Sequence, residues 1–340
     1  MSNRDQASAG ETILAIETSC DETAVAILRD SAILASEVAS QIAMHAPFGG
    51  VVPEIASRNH MRLLKPVLER ALATAKITLN SVDVFAATTG PGLATSLMIG
   101  TSLAKGLAVA TGKPVLAINH LEGHLLSPFF GTAEGVRPSV GLIVSGGHTL
   151  LVDVEAVGKY RLLGQTQDDA AGEAFDKVGK LLGLPYPGGP HVNRHAQDGN
   201  PAAHALPRSM IDSGDLSFSF SGLKTSMRYL LPKLDTLHLP DLCASFQEAV
   251  VDVLVAKTMQ AAAATGRDVV AISGGVSCNT RLREKMDEAC KAHGIELLVA
   301  DLALCTDNAA MIAQVAALKF RIGQSSPLTE DIDPNLRLVA

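Results

Sequence analysis

Two histidines four residues apart, His120 and His124 in Asn119-His120-Leu121-Glu122-Gly123-His124, have the spacing in this chain best suited to a shared chemical task. Asn119 is a favoured N-cap residue and follows the apolar run Val115-Leu116-Ala117-Ile118, so the order predicts a buried strand leading into a helical turn. On a helix the two imidazoles share one face with Cβ atoms roughly 5–6 Å apart, a spacing that lets them hold one divalent metal. The plainer reading is two partly exposed histidines at a helix end, and the hexapeptide alone leaves both open. Gly123 costs about 1 kcal/mol against Ala inside a helix, which implies close approach of a ligand or another backbone. A zincin site does not fit, because its general-base glutamate directly follows the first histidine; here Leu121 does, and Glu122 comes one place later. Asp307, just ahead of a helix expected to run to about residue 320, reads either as an N-cap or as a third ligand. Two neutral imidazoles and one carboxylate leave coordination positions open, as catalytic Zn and non-haem Fe(II) sites do.

A second kind of chemistry is signalled by glycine. Ser145-Gly146-Gly147-His148 and Ser273-Gly274-Gly275-Val276 each follow a short apolar run, placing backbone N–H groups where a strand ends and a phosphate can be cradled. With Gly90-Pro91-Gly92 and Gly188-Gly189 they favour a nucleotide cleft between two halves of the chain. Neither GxxxxGK[ST] nor GxGxxG occurs, so P-loop and dehydrogenase readings fall. Asp176, near the start of an expected helix, reads as a dipole contact worth typically 0.3–1 kcal/mol or as an acceptor for a nucleotide hydroxyl. Asn279 falls just inside the next helix.

The elements that position these groups repeat. Residues 13–16 and 23–28 form a hairpin with a polar tip at 17–22, and the arrangement recurs at 140–144, 145–148 and 149–154, suggesting a duplicated α/β domain. Helical periodicity covers 53–76, with Ile55, Leu63, Leu64, Val67, Leu68 and Leu72 as the apolar set. Arg58, Arg62 and Lys65 form a stripe on the other face, either simply solvated or a contact for phosphates. A strand at 84–87 and a helix at 93–110 follow, then a helix at 174–183. Residues 185–190, Pro-Tyr-Pro-Gly-Gly-Pro, read as a stiff turn that is neither helix nor central strand. The alternation of aromatic and hydroxyl residues over 217–224 suits an edge strand or a ligand-facing loop. A long Ala-rich helix spans 242–264, and strands fall at 269–272 and 295–299.

The 340 residues make two domains the natural expectation, and the formal charge of -7 argues against a general nucleic-acid coat while leaving room for a local basic patch. Five cysteines, odd in number and without a CxxC pair, argue against a disulfide framework and a zinc ribbon. Only the first ten or so residues look disordered by composition. They lack a signal-peptide core, and no later segment runs to 18 apolar residues, so the cytoplasm is the expected location.

Taken together, the segments Glu17-Thr18-Ser19-Cys20-Asp21-Glu22-Thr23, Gly90-Pro91-Gly92-Leu93, the histidine hexapeptide, Val144-Ser145-Gly146-Gly147-His148, Gly172-Glu173-Ala174-Phe175-Asp176-Lys177, Tyr186-Pro187-Gly188-Gly189-Pro190, Phe218-Ser219-Phe220-Ser221-Gly222-Leu223-Lys224, Ser273-Gly274-Gly275-Val276 and Cys305-Thr306-Asp307-Asn308 resemble, in order, the TsaD (Kae/Qri/Gcp) family of the actin-like ATPase superfamily. The resemblance implies duplicated ribonuclease H-like domains with a nucleotide and metal cleft between them: an amino-terminal lobe over 12–136, a carboxy-terminal lobe with a helical insertion over 137–325, and a tail over 326–340. It implies transfer of a threonylcarbamoyl group from threonylcarbamoyl-AMP to N6 of adenosine 37 in the anticodon loop of tRNAs reading ANN codons, with AMP released. It assigns one divalent metal per subunit, Fe(II) favoured and Zn the alternative, to His120, His124 and Asp307. The nucleotide goes to Val144, Ser145, Gly146, Gly147, His148, Asp176, Gly189 and Asn279. Asn193 departs from the family, which often has Asp there, and is left out of that set. A TsaB-like paralogue and a TsaE-like ATPase are the implied partners in bacteria, with no membrane. No residue stands out as a general base. The rival readings are an actin-like kinase, which leaves the histidines idle, a non-enzymatic scaffold, and a metalloprotease, which the place of Glu122 disfavours.

Overall fold

Ten strands in the computed structural model, which describes residues 10–339, form two five-stranded sheets of one topology. The reading of the first ten residues as disordered falls outside the described residues, Gly10 apart. Strands β1 (Thr12–Glu17), β2 (Glu22–Arg29), β3 (Ala32–Ser40), β4 (Val84–Gly90) and β5 (Val115–Asn119) lie in the order β3-β2-β1-β4-β5. The first three pair antiparallel, and β1, β4 and β5 pair parallel. Strands β6 (Ser139–Val144), β7 (Thr149–Ala156), β8 (Lys159–Gln165), β9 (Val269–Ser273) and β10 (Glu296–Val299) repeat the pattern in the order β10-β9-β6-β7-β8. The fold is a duplicated ribonuclease H-like α/β architecture.

The chain folds as two units, each with its own sheet. The first holds the segments ending at Gln41, Val51–Leu126 and Asp307–Leu338; the second holds Ile42–Gly50 and Ser127–Thr306. The helix Ala309–Arg321, expected in the lobe over 137–325, therefore returns to the first unit, where it packs on β1 and β2. Its run of small and apolar side chains from Ala309 to Ala317 is buried throughout. Strand side chains alternate between faces, and Leu14, Ile16, Val25 and Ile27 share a core with Leu64, Val67 and Leu68 of the helix Pro53–Ala75. The residues between them, Ile13, Ala15, Ala24 and Ala26, leave the other face to the helix Ala309–Arg321. The tail after residue 325 continues the first unit: Ser326 N–H donates to Val115 O (2.9 Å) and Asp333 N–H to Thr89 O (2.9 Å).

In the second unit the helix Ala171–Leu181 begins three residues earlier than the periodicity suggests, so Asp176 lies in its second turn, beyond reach of an N-terminal dipole contact. The stiff turn at 185–190 ends at Pro187, and Gly188, Gly189 and Pro190 open the helix Gly188–Ala196, where a proline in the first turn breaks no intrahelical hydrogen bond. Residues 217–224 form no strand beyond one bridge between Phe218 and Thr166. Phe218 and Phe220 are buried with rings 6.0 Å apart, and the helix Ser221–Leu230 starts directly after them. Their hydroxyl neighbours do not face a ligand, since Ser219 and Ser221 donate to the Asp168 carboxylate at 2.6 and 2.7 Å. The 27-residue helix Leu239–Thr265 gives more residues to this core than any other element, with Thr280–Ala292 beside it. Among the described residues no helix is long and apolar enough to cross a membrane.

Candidate metal centre and nucleotide cavity

The helix His120–Leu126 starts where β5 ends, as the N-cap reading requires: Asn119 Oδ1 accepts the N–H groups of Leu121 (2.8 Å) and Glu122 (3.4 Å). His120 and His124 stand edge to face with ring centroids 4.8 Å apart. Asp307 joins them from the start of the buried helix, its Oδ1 lying 3.5 Å from His120 Nε2 and 3.1 Å from His124 Nε2. Asn308 is that helix's N-cap, accepting Met311 N–H at 2.9 Å, so the capping role considered for Asp307 belongs to its neighbour and the aspartate is released to the histidines. One donor atom from each of the three residues falls within 4.8 Å of the others, and both imidazoles are buried. Two nitrogens and one carboxylate oxygen fit a Zn(II) or Fe(II) ion with open positions.

Glu122 and Gly123 set the distance between the two helices. Glu122 is buried and pairs with Lys319 Nζ at 2.5 Å, away from the histidine face. A Cβ on Gly123 would come within 2.9 Å of Ile312 Cδ1 and 3.0 Å of Met311 Cγ. The approach its missing side chain permits is thus to side chains of the Asp307-bearing helix.

Glu17, which the sequence places in the polar tip of the first hairpin and in the first of the family-like segments, is fully buried behind the centre. Its Oε2 lies 3.0 Å from His120 Nδ1 and accepts the Thr88 hydroxyl at 2.6 Å, while Oε1 accepts Ser19 N–H at 2.5 Å. A proton held on Nδ1 by Glu17 leaves the Nε2 lone pair of His120 for an ion, the carboxylate–histidine arrangement common behind bound metals. The electrostatics agree. Burial pushes the Glu17 carboxyl up, but the His120 ring and its hydrogen bond hold it below its ordinary value. Burial works against the charged His120 ring, yet Asp307 and Glu17 on either side raise it well above the usual histidine value. Asp307 likewise overcomes burial, held well below the usual carboxylate range by His120 and His124. A divalent ion meets the same concentration of negative charge that otherwise holds a proton.

In the second unit a cavity of about 620 Å³ is lined by Gly146, Phe175, Asp176, Gly189, Val276 and Asn279, with Asn193, Arg194 and Gln197 along the helix Gly188–Ala196. Of the eight expected nucleotide contacts it gathers Gly146, Asp176, Gly189 and Asn279; Val144, Ser145, Gly147 and His148 belong to the strand end and turn beside it. The turn is closed by Ser145 N–H donating to His148 O at 2.8 Å. A Cβ on Gly172 would meet Ser145 O at 2.6 Å, so glycine there seats the turn on the helix Ala171–Leu181. Asp176 accepts Gly188 N–H at 2.7 Å, and burial raises its carboxyl despite that bond and one from Gly189. Asn279 stands one residue outside the next helix as its N-cap, accepting Leu282 N–H at 3.0 Å and donating to Gln247 Oε1 at 2.6 Å. Asn193 lines the cavity after all and exchanges hydrogen bonds with Thr280.

Residues 32–314 match the family model for TsaD, tRNA N6-adenosine threonylcarbamoyltransferase. A protein of that name from Salinibacter ruber is 49% identical over 334 residues, covering 96% of this chain and 99% of its own. One from Geotalea uraniireducens is 54% identical over 306 residues, covering 88% and 89%. Among solved structures, HypF from T. kodakarensis superposes with a TM-score of 0.64 at 12% identity, over 92% of this chain and 49% of that one. Component A of (R)-2-hydroxyglutaryl-CoA dehydratase from Acidaminococcus fermentans does so with a TM-score of 0.57 at 14% identity, over 93% and 99%. At these identities the structural likeness is one of fold.

Proposed function

The chain belongs to the tRNA N6-adenosine threonylcarbamoyltransferase family and is thus an acyltransferase that modifies tRNA, and on that premise we propose that its donor is threonylcarbamoyl-AMP and its acceptor N6 of adenosine 37 in tRNAs reading ANN codons. The observation that carries this reading is the adenylate-sized cavity lined by Gly146, Asp176, Gly189 and Asn279 in a chain that also builds a set of two buried histidines and one half-buried aspartate. In the reaction the N6 amine attacks the carbamoyl carbon, the C–N bond forms, the C–O bond to phosphate breaks, AMP leaves with the electron pair, and N6 gives up a proton. An exocyclic amine is a weak nucleophile, so positioning of donor and acceptor supplies much of the rate.

The roles of this chain's own residues follow from their places. Asp176 accepts a ribose hydroxyl, and the Ser145–His148 turn offers N–H groups to the phosphate. Glu17 orients His120, and Glu122 with Lys319 holds the two ligand-bearing helices together. A divalent ion on His120, His124 and Asp307, Fe(II) by preference and Zn(II) as the alternative, supplies Lewis acidity to polarise a carbonyl or anchor a carboxylate. A TsaB-like paralogue and a TsaE-like ATPase complete the proposed cytoplasmic system. Exposed Met61 and Met98, on the packed helices Pro53–Ala75 and Ala94–Thr111, support a partner-binding surface.

The test is nucleoside mass spectrometry of tRNA lacking the modification, after incubation with threonine, bicarbonate, ATP, a threonylcarbamoyl-AMP synthase, the two partners and this protein. Threonylcarbamoyladenosine at position 37 is expected, and its loss together with metal retention in His120→Ala and His124→Ala. An unmodified adenosine in the complete wild-type mixture would overturn the reading.

A further inference from the structure

Beside the adenylate cavity, and sharing Asp176 with it, a smaller cleft of about 270 Å³ is lined by Phe48, Gly49, Lys180, Leu184, Pro185 and Tyr186, all within the second unit. We propose that this cleft seats an unstacked nucleotide of the tRNA anticodon loop next to the target adenosine, its base against Phe48 and its phosphate on Lys180. The inference rests on the transfer to tRNA argued above and adds a subsite for the acceptor.

Three observations converge. Phe48 is 59% exposed, an unusual state for a phenylalanine, and it sits at the tip of a turn closed by Gly49 N–H donating to Ala46 O at 3.1 Å. Gly49 adopts φ +70°, so the turn that presents the ring is built for that purpose by Pro47 and a glycine in the left-handed region. Lys180 is exposed, and its Nζ lies where a Cβ on Gly49 would come within 3.1 Å, so the ammonium stands beside the same turn; among the described residues it makes no ion pair. The carboxylate of the shared wall is turned to the N–H groups of Gly188 and Gly189, and among the described residues it forms no ion pair with Lys180.

The chemistry selects the occupant. An exposed aromatic ring with an unpaired cation in the same cleft is what single-stranded RNA offers its bases and phosphates to, and anticodon-loop bases splay out of their stack to be bound in this way. The volume falls just below the roughly 300–1,000 Å³ of small-molecule sites, suited to one nucleoside and too small for a second adenylate. The acceptor must come to the donor, and a cleft with a wall in common with the donor's cavity is where a neighbouring nucleotide of the same loop falls.

The chain contains no tryptophan, so Phe48→Trp introduces one reporter at the site. In the reconstituted mixture, with the wild-type mixture as blank, titration with an unmodified tRNA transcript should quench that tryptophan as a base stacks on it. Phe48→Ala should weaken tRNA binding about tenfold, Phe48→Tyr should restore it, and AMP affinity should stay within about twofold throughout. Lys180→Gln should lower the slope of log affinity against log salt by about one. An unquenched tryptophan at saturating tRNA, or wild-type affinity in Phe48→Ala, would overturn the cleft while leaving the transferase reading intact. Failure of the wild-type mixture to modify tRNA at all would overturn both.

Discussion

Glu17 shows how a buried carboxylate decides what its neighbour can hold. Replacing it with Gln keeps a hydrogen-bonding group beside His120 Nδ1 and the Thr88 hydroxyl but removes the charge that fixes the ring's proton. Losing an outer partner of this type typically costs about 10–100-fold in metal affinity. Glu17→Gln should therefore release Fe(II) or Zn(II) at least about tenfold more readily in a chelator competition while folding normally; metal retained as in the wild type would remove Glu17 from that role. The proposed ligands stood out in the chain only as candidates, because His120 and His124 carry helical spacing and Asp307 precedes an apolar run, each with a structural alternative beside it. Glu17 did not stand out. A glutamate at the end of a strand has the pattern of a turn residue, and only its hydrogen bonds with His120 and with Thr88 of β4 show which way it faces.

At the level of elements, buried strands and long helices are evident in the order of apolar residues, and the exposed edges are not. Strands β3 and β8, largely exposed along their length, give little apolar signal, and both went unread. The helix Gly188–Ala196 was hidden by Gly-Gly-Pro, which signals a turn wherever the following turn of helix is not in view. Phe218 and Phe220 kept their alternation without a ladder, since Asp168 gathers the intervening hydroxyls.

The paired helices Leu239–Thr265 and Thr280–Ala292 supply a pH test. Glu248 accepts Arg281 Nε at 2.8 Å and Lys285 Nζ at 2.6 Å. The hydrogen bond from Arg281, with that from Lys285, overcomes partial burial and holds the carboxyl down to about 2 from an ordinary 4.5. A lowered folded pKa means stability that is complete above about 4.5 and lost as pH falls toward about 2; after solvent screening it is of order 1 kcal/mol. The melting temperature of the wild type should exceed that of Glu248→Gln near neutrality, and the gap should close through this window. A gap constant with pH would contradict it.

The helix Pro53–Ala75 supplies a test on RNA. Arg58, Arg62 and Lys65 are all exposed, and the surface ion pair of Lys65 with Glu69 at 3.7 Å is worth little. Replacing the three with Glu should weaken tRNA binding and flatten its salt dependence while leaving the threonylcarbamoyl adenylate bound as before. An unchanged salt slope would reduce the stripe to a solvated face.

For the molecule as a whole, duplication was legible because each half opens with strand, small polar turn and strand. The return of the last helix to the first unit was not: the sequence places Asp307 after ten strands, and nothing local tells that its helix closes the first sheet. That return brings Asp307 to the histidines. The central claim is that these parts move one threonylcarbamoyl group from an adenylate to tRNA. The direct measurement supplies purified threonylcarbamoyl-AMP and unmodified tRNA to the metal-loaded protein with its partners, and counts AMP against threonylcarbamoyladenosine. One AMP per modified adenosine, released only when tRNA is present, is the predicted result; AMP release that proceeds equally without tRNA, or without any modified adenosine, would contradict it.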